Sequence, residues 1–139
     1  MSYQRDYILR MIAMMAELIA GILGLIKKGE FGKASEAIEQ VYYDMLKEDA
    51  AFFRKLPLEN LTDNLIQEHN YTHDHLEILA ELFFADAELE KARNNKSAAL
   101  VNYQKSHSLL QFLSGKSGSF SIEKQNRIMI LENEISQLV

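Results

Sequence analysis

The sequence predicts an all-α protein of antiparallel helical hairpins, packed as a short array or bundle of five long helices and one short one. Three observations predict it. Apolar residues recur at three- and four-residue spacing along most of the chain, and no segment alternates as a strand for more than a few residues. The clearest punctuation, Lys27-Lys28-Gly29 and Asn94-Asn95, falls each time between two periodic runs. The 139 residues read as one domain, 1–139: a hairpin over 3–55, a short connecting helix over 57–69, a second hairpin over 72–113, a flexible loop at 114–121 and a C-terminal helix over 121–138.

The first helix contains "MIAMMAELIAGILGLI", residues 11–26, in which only Glu17, Gly21 and Gly24 are not hydrophobic. A membrane span needs about 20 mostly apolar residues and tolerates a central carboxylate poorly. A secretory leader would be basic and uninterrupted, whereas Asp6 and Glu17 break this one. The expectation is therefore a helix that folds in water. Arg10, Ala13, Glu17, Ala20, Gly21, Gly24 and Lys28 share one stripe of small or charged residues, while Ile, Leu and Met cover the rest. This predicts burial on two sides, with one narrow face left exposed or approached closely by another backbone. Lys27 and Lys28 suit the C-terminal end of the dipole and Gly29 the left-handed cap.

The second helix follows at once, with Phe31, Ala34, Ile38, Val41 and Met45 on one face, and is expected to fade between Asp49 and Leu56. So short a turn makes the two helices antiparallel. Pro57 forces a new start for the short helix. Thr72 and its neighbours offer cap oxygens for a long helix to about Arg93, apolar nearly all round between Leu76 and Leu89 and so expected to be the most buried element. Asn94 and Asn95 make the next turn; Ala99, Tyr103, Ser106, Leu110 and Leu113 form the inward face beyond it. "SGKSGSFS" reads as the loop, and Ser121 caps a final helix with Ile128, Leu131, Ile135 and Leu138 on its stripe.

Composition narrows the function classes. There is no cysteine, which removes disulfides and thiol chemistry and fits a reducing, cytoplasmic setting. The net charge of -5 lacks the field that draws phosphate backbones, so nucleic acid is excluded as an expected partner. Membrane attachment through the first helix is not expected, since its polar stripe is narrow and carries both charges.

The two turns invite comparison. Matching Gly29-Glu30 to Asn94-Asn95 lays Ala34 on Ala99, Ile38 on Tyr103 and Val41 on Ser106. Gly29, Glu30 and Phe31, with Ala34 five residues past the glycine, resemble a tetratricopeptide-type helical hairpin; Ala87, Asn94, Asn95 and Ala99 resemble it in a second copy, and Phe83 stands for the leading aromatic. Glu90 replaces the family's tyrosine, and both copies lack the closing proline. The resemblance covers about half the chain, and the turns lie 65 residues apart, near two repeats of about 34. It implies that the first helix of each hairpin lines a concave face, which would set Glu81, Phe84, Glu88 and Lys91 in a peptide-binding groove.

"QEHNYTHDHLE" gathers His69, His73 and His75 with Glu68, Asp74 and Glu77. Imidazole and carboxylate ligate zinc and similar metals, and His73 shares a helix face with Glu77. The competing reading is a polar helix start with acids at the positive dipole end. No Gly-rich phosphate loop follows a strand and no serine sits in a nucleophile elbow. The sequence thus leads to a non-catalytic protein-protein interaction or self-assembly domain that uses no cofactor and binds a protein, a peptide or a second copy. The alternative is a metal-binding protein or metal-dependent enzyme built on His69, His73 and His75.

Overall fold

The structure, a computed structural model, describes residues 2–115 and 121–139. Among these the fold is all-α, with helices α1 (Ser2–Lys27), α2 (Phe31–Leu46), α3 (Ala50–Arg54), α4 (Leu61–His69), α5 (His73–Ala92), α6 (Lys96–Ser114) and α7 (Ile122–Leu138). Five are long and two short, one more short helix than the sequence pattern predicts. The loop expected at 114–121 lies, for residues 116–120, outside the described residues.

The two hairpin turns are built alike, hydrogen bond for hydrogen bond. Gly29 takes a left-handed φ of 79°, its N–H donates to Ile26 O at 2.9 Å, and Glu30 N–H donates to Leu25 O at 2.9 Å. Asn94 takes φ 65°, its N–H donates to Lys91 O at 3.0 Å, and Asn95 N–H donates to Glu90 O at 2.8 Å. Both are the double-bonded left-handed cap that satisfies a helix's last carbonyls. Ala34 and Ala99, matched by this superposition, are both fully buried at the helix crossings, as are Ile38 and Tyr103.

The end of α2 departs from the expected fade. Lys47 adopts φ 60° and its N–H closes on Tyr43 O at 2.9 Å, which stops the helix at Leu46; Asp49, in extended backbone, then starts the separate turn α3. A left-handed lysine carries no sequence signature, because the conformation is normally the province of glycine and asparagine. Residues 57–60 form turns rather than helix, so the connecting helix begins only at Leu61.

Helix α5 is the centre of the molecule. Eleven of its 20 residues are buried, from Leu76 to Leu89, and α1, α2 and α6 all pack on it. The contact with α6 is the most extensive, and Ser106 helps by donating its hydroxyl to Ala80 O at 2.7 Å across the crossing. Both rings of Phe83-Phe84 are buried, whereas beside buried Tyr42 its neighbour Tyr43 turns outward, and beside buried Phe53 its neighbour Phe52 is half-buried. Adjacent helical residues point about 100° apart, so only a helix covered on several sides can bury both.

One charged cluster sits inside this core. Asp86, on α5, accepts from Tyr42 Oη at 2.8 Å and pairs with Arg54 Nη2 at 2.9 Å, tying α2 and α3 to the central helix. Lys105 of α6 donates to the Arg54 carbonyl at 3.1 Å and lies over the Phe83 ring. Burial, then the charge of Asp86 and its hydrogen bond, push the Tyr42 phenol well above its ordinary range. Burial pushes the Lys105 ammonium down, with Asp86 pulling it partly back.

Candidate interaction surface

Helix α1 is where the fold leaves something uncovered. Its inward residues Met15, Ile19 and Ile22 are buried against the core. Yet only 22% of the stretch Leu9–Lys27 is buried, although among the described residues α1 alone is long and apolar enough to cross a membrane by length and composition. The expected burial on two sides is burial on one. The small-and-charged stripe is exposed except at half-buried Gly24, and so are Tyr7 at 48% and Met14 at 53% on one flank of it and Leu9 at 43% on the other. The reason is topological: α5 covers one side of α1, α2 runs beside it, and among the described residues no other helix packs extensively on it.

Two open grooves flank this ridge. The larger, about 640 Å³, has Ala13, Ala16 and Ala20 of α1 along one wall and α7 along the other. Its polar rim is internally matched, since Lys124 pairs with Glu77 at 3.0 Å and Arg127 with Glu81 at 3.0 Å. The smaller, about 440 Å³, lies between α1 and α2 and carries Tyr7, Met11, Met14 and Leu18 with Arg10 and Asp44 at its edges. The apolar side chains supply the drive to exclude water and the two charges supply orientation, which is how interface cores and rims divide their work.

The four residues expected to line a peptide groove meet α7 and α6 of their own chain. Glu81 takes a bidentate bond from Arg127, with Nε at 3.2 Å and Nη2 at 3.0 Å, and the guanidinium lies 3.8 Å from the centre of the Phe84 ring. Lys91 donates to both carboxylate oxygens of Glu134, at 2.8 and 2.9 Å. Glu88 accepts from Tyr103 Oη, and burial together with that bond pushes the Tyr103 phenol upward. Helix α7 therefore covers Glu81, Phe84 and Lys91, held by the pairs its Arg127 and Glu134 make, by Leu131, its single buried residue among those described, and by the half-buried Ile128, Ile135 and Leu138.

The histidines go separate ways. His69 stands edge-on to Phe52 with ring centres 5.0 Å apart, and His73 edge-on to Phe112 at 5.6 Å. His75 completes a capping box: its N–H donates to Thr72 Oγ1 at 3.3 Å and its Nδ1 accepts from Thr72 N–H at 3.1 Å. Burial lowers the His75 pKa despite the nearby charge of Asp74, in keeping with an imidazole that must offer a bare Nδ1. Among the described residues no group of three or more His, Cys, Asp or Glu is placed to hold a metal ion. His107 faces Glu132 of α7 at 3.1 Å.

Pattern reasoning missed two features. The uncovered state of α1 has no local sign, because periodicity tells which residues avoid water and not which neighbour shields them. Asp86 did have one, a lone carboxylate inside an otherwise apolar turn, with Arg54 and Lys105 as its eventual neighbours. In comparisons with known proteins the chain matches no family model, no curated protein and no solved structure.

Proposed function

We propose that this chain is a non-catalytic helical interaction domain that acts by binding protein through the outward face of α1. The observation that carries this reading is the exposure of Tyr7 and Met14 side by side on a strongly apolar helix, at the edge of the α1–α2 groove. Water-exposed apolar surface concentrated in one place marks a binding site more often than scattered single residues do. The two equivalent hairpin turns support the resemblance to tetratricopeptide-type proteins, a class whose stacked helices leave ends that need covering. The absence of cysteine suits work in the cytoplasm.

The test is affinity capture from cells at native expression, with chemical cross-linking and identification of the linked residues. Cross-links from Lys27 or Lys28 at the end of α1 to a discrete protein, lost with Tyr7→Gln and Met14→Gln, are the expected result. Capture that is unchanged by both substitutions refutes the assignment of the surface to α1.

A further inference from the structure

This inference rests on the reading of α1 as an interaction surface and names its occupant. We propose that a second copy of the chain covers the face, its α1 lying antiparallel to the first across a two-fold axis at Met14. An isologous contact requires a patch complementary to itself. Tyr7, Met14 and Gly21 are spaced by seven, a step that drifts by only about 20° on a straight helix, so they stand in one outward row. Arg10 and Glu17 form the adjacent row, and all five residues are exposed.

With Met14 on the axis, Tyr7 opposes the partner's Gly21, a large ring against a residue with no side chain, and symmetry repeats the contact. Arg10 falls one position from the partner's Glu17, again twice. Within one chain these two charges stand about 10.5 Å apart along the axis, and neither has a hydrogen bond or ion pair among the described residues. A parallel pairing would set Arg10 on the partner's Arg10 and Glu17 on the partner's Glu17, so charge selects the antiparallel one. The helical glycines agree with this. A Cβ at Gly21 or Gly24 would meet nothing within 4 Å, so nothing inside the chain requires them, although each weakens a helix interior relative to alanine. A neighbour approaching from outside accounts for Gly21, which the antiparallel pairing sets against the partner's Tyr7.

The extent is modest. Tyr7 to Gly21 covers about 22 Å of helix, and the α1–α2 groove with Met45 at its edge widens the contact. That places it at or below the roughly 800 Å² per partner of a standard interface, among weak, reversible contacts, and the dimer is taken to dissociate at about micromolar concentration.

The experiment uses the full chain in sedimentation velocity over a concentration series, with single cysteines in a protein that otherwise has none. Oxidised Met14→Cys is expected to give a covalent dimer, and Ala16→Cys, on the inner groove side, is not. Arg10→Glu is expected to weaken the dimer about tenfold by setting like charges together twice, and Arg10→Glu with Glu17→Arg to restore it. These residues are exposed, so circular dichroism of each variant should match the parent. A chain that stays monomeric far above the micromolar range, or a dimer insensitive to Arg10→Glu, or one that cross-links at Ala16→Cys, overturns the proposal. Co-sedimentation with phosphatidylcholine and phosphatidylglycerol vesicles separates the two failures. A monomer that sediments through α1 overturns the protein-binding reading as well. A monomer that does not sediment overturns the dimer alone and leaves that reading standing.

Discussion

Replacing Asp86 with asparagine removes a charge from the core while keeping its shape, and the surroundings set the size of the effect. Three groups are arranged around this carboxylate: the Tyr42 hydroxyl at 2.8 Å, the Arg54 guanidinium at 2.9 Å, and the ammonium of Lys105, whose proton it helps to hold. The amide can accept from one donor but turns its own N–H groups toward another. Breaking a buried ion pair from one side costs about 3–5 kcal/mol, because the remaining charge is stranded. Here the Arg54 side chain is 36% exposed and partly rescued by water, which brings the expectation to about 3 kcal/mol. Against a total of roughly 5–15 kcal/mol for an ordinary domain, that is a large fraction. Urea unfolding followed by far-UV circular dichroism would show it as a lower midpoint at unchanged slope. Arg54→Met should cost less, about 2 kcal/mol, and the double variant should cost less than the sum of the two by about 1–2 kcal/mol, because the pair acts as a unit. A loss below about 1 kcal/mol for Asp86→Asn, or strict additivity, would refute the view that this cluster anchors α2 and α3 to α5.

Three further outcomes follow from the geometry. His75 has a lowered folded-state pKa, so the unfolded chain binds more protons below pH 6.5; stability should fall as pH drops through that value, by at most about 1.4 kcal/mol per pH unit, until the folded imidazole also protonates. His75→Gln keeps a capping-box side chain and should flatten that part of the pH profile in thermal melts; an unchanged slope would count against the assignment. Helix α7 is held by ion pairs as well as by Leu131 and the half-buried Ile128, Ile135 and Leu138, so about 1 M salt, with a screening length near 3 Å, should speed amide exchange over 122–138 more than over α5. Equal acceleration of both helices would contradict it. Gly24→Ala in open space should stabilise the fold by about 0.5–1 kcal/mol, whereas Gly29→Ala, forced into φ 79°, should destabilise it by about 1 kcal/mol or more. Chemical denaturation of the two variants checks the opposite signs.

The order of helices was legible wherever local chemistry writes it down. Gly29 and the Asn94-Asn95 pair marked both hairpin turns, while Thr72, Asn95 and Ser121 proved to be caps whose side chains accept from the first helical turn. The apolar circumference of 76–89 correctly announced the central helix. What escaped was set by contacts distant in sequence. Arg127 meets Glu81 across 46 residues, and no spacing rule relates them. Lys47 ends α2 in a conformation its residue type does not advertise. The histidines, close in sequence, are parted by a turn at Asn70 and by aromatic rings, with Tyr71 between His69 and His75 and with His73 on Phe112.

Helix α1 packs more extensively on α5 than on its hairpin partner α2, and this has a consequence for how the chain is made. At a synthesis rate of about 5–20 residues per second, the 65 residues between Lys27 and the end of α5 at Ala92 take several seconds to emerge. During that interval Met15, Ile19 and Ile22 have no cover but α2, and the most apolar segment of the protein waits at the ribosome for the helix that will bury it. The time for which this apolar segment lacks its cover is set by translation speed rather than by the rate of folding.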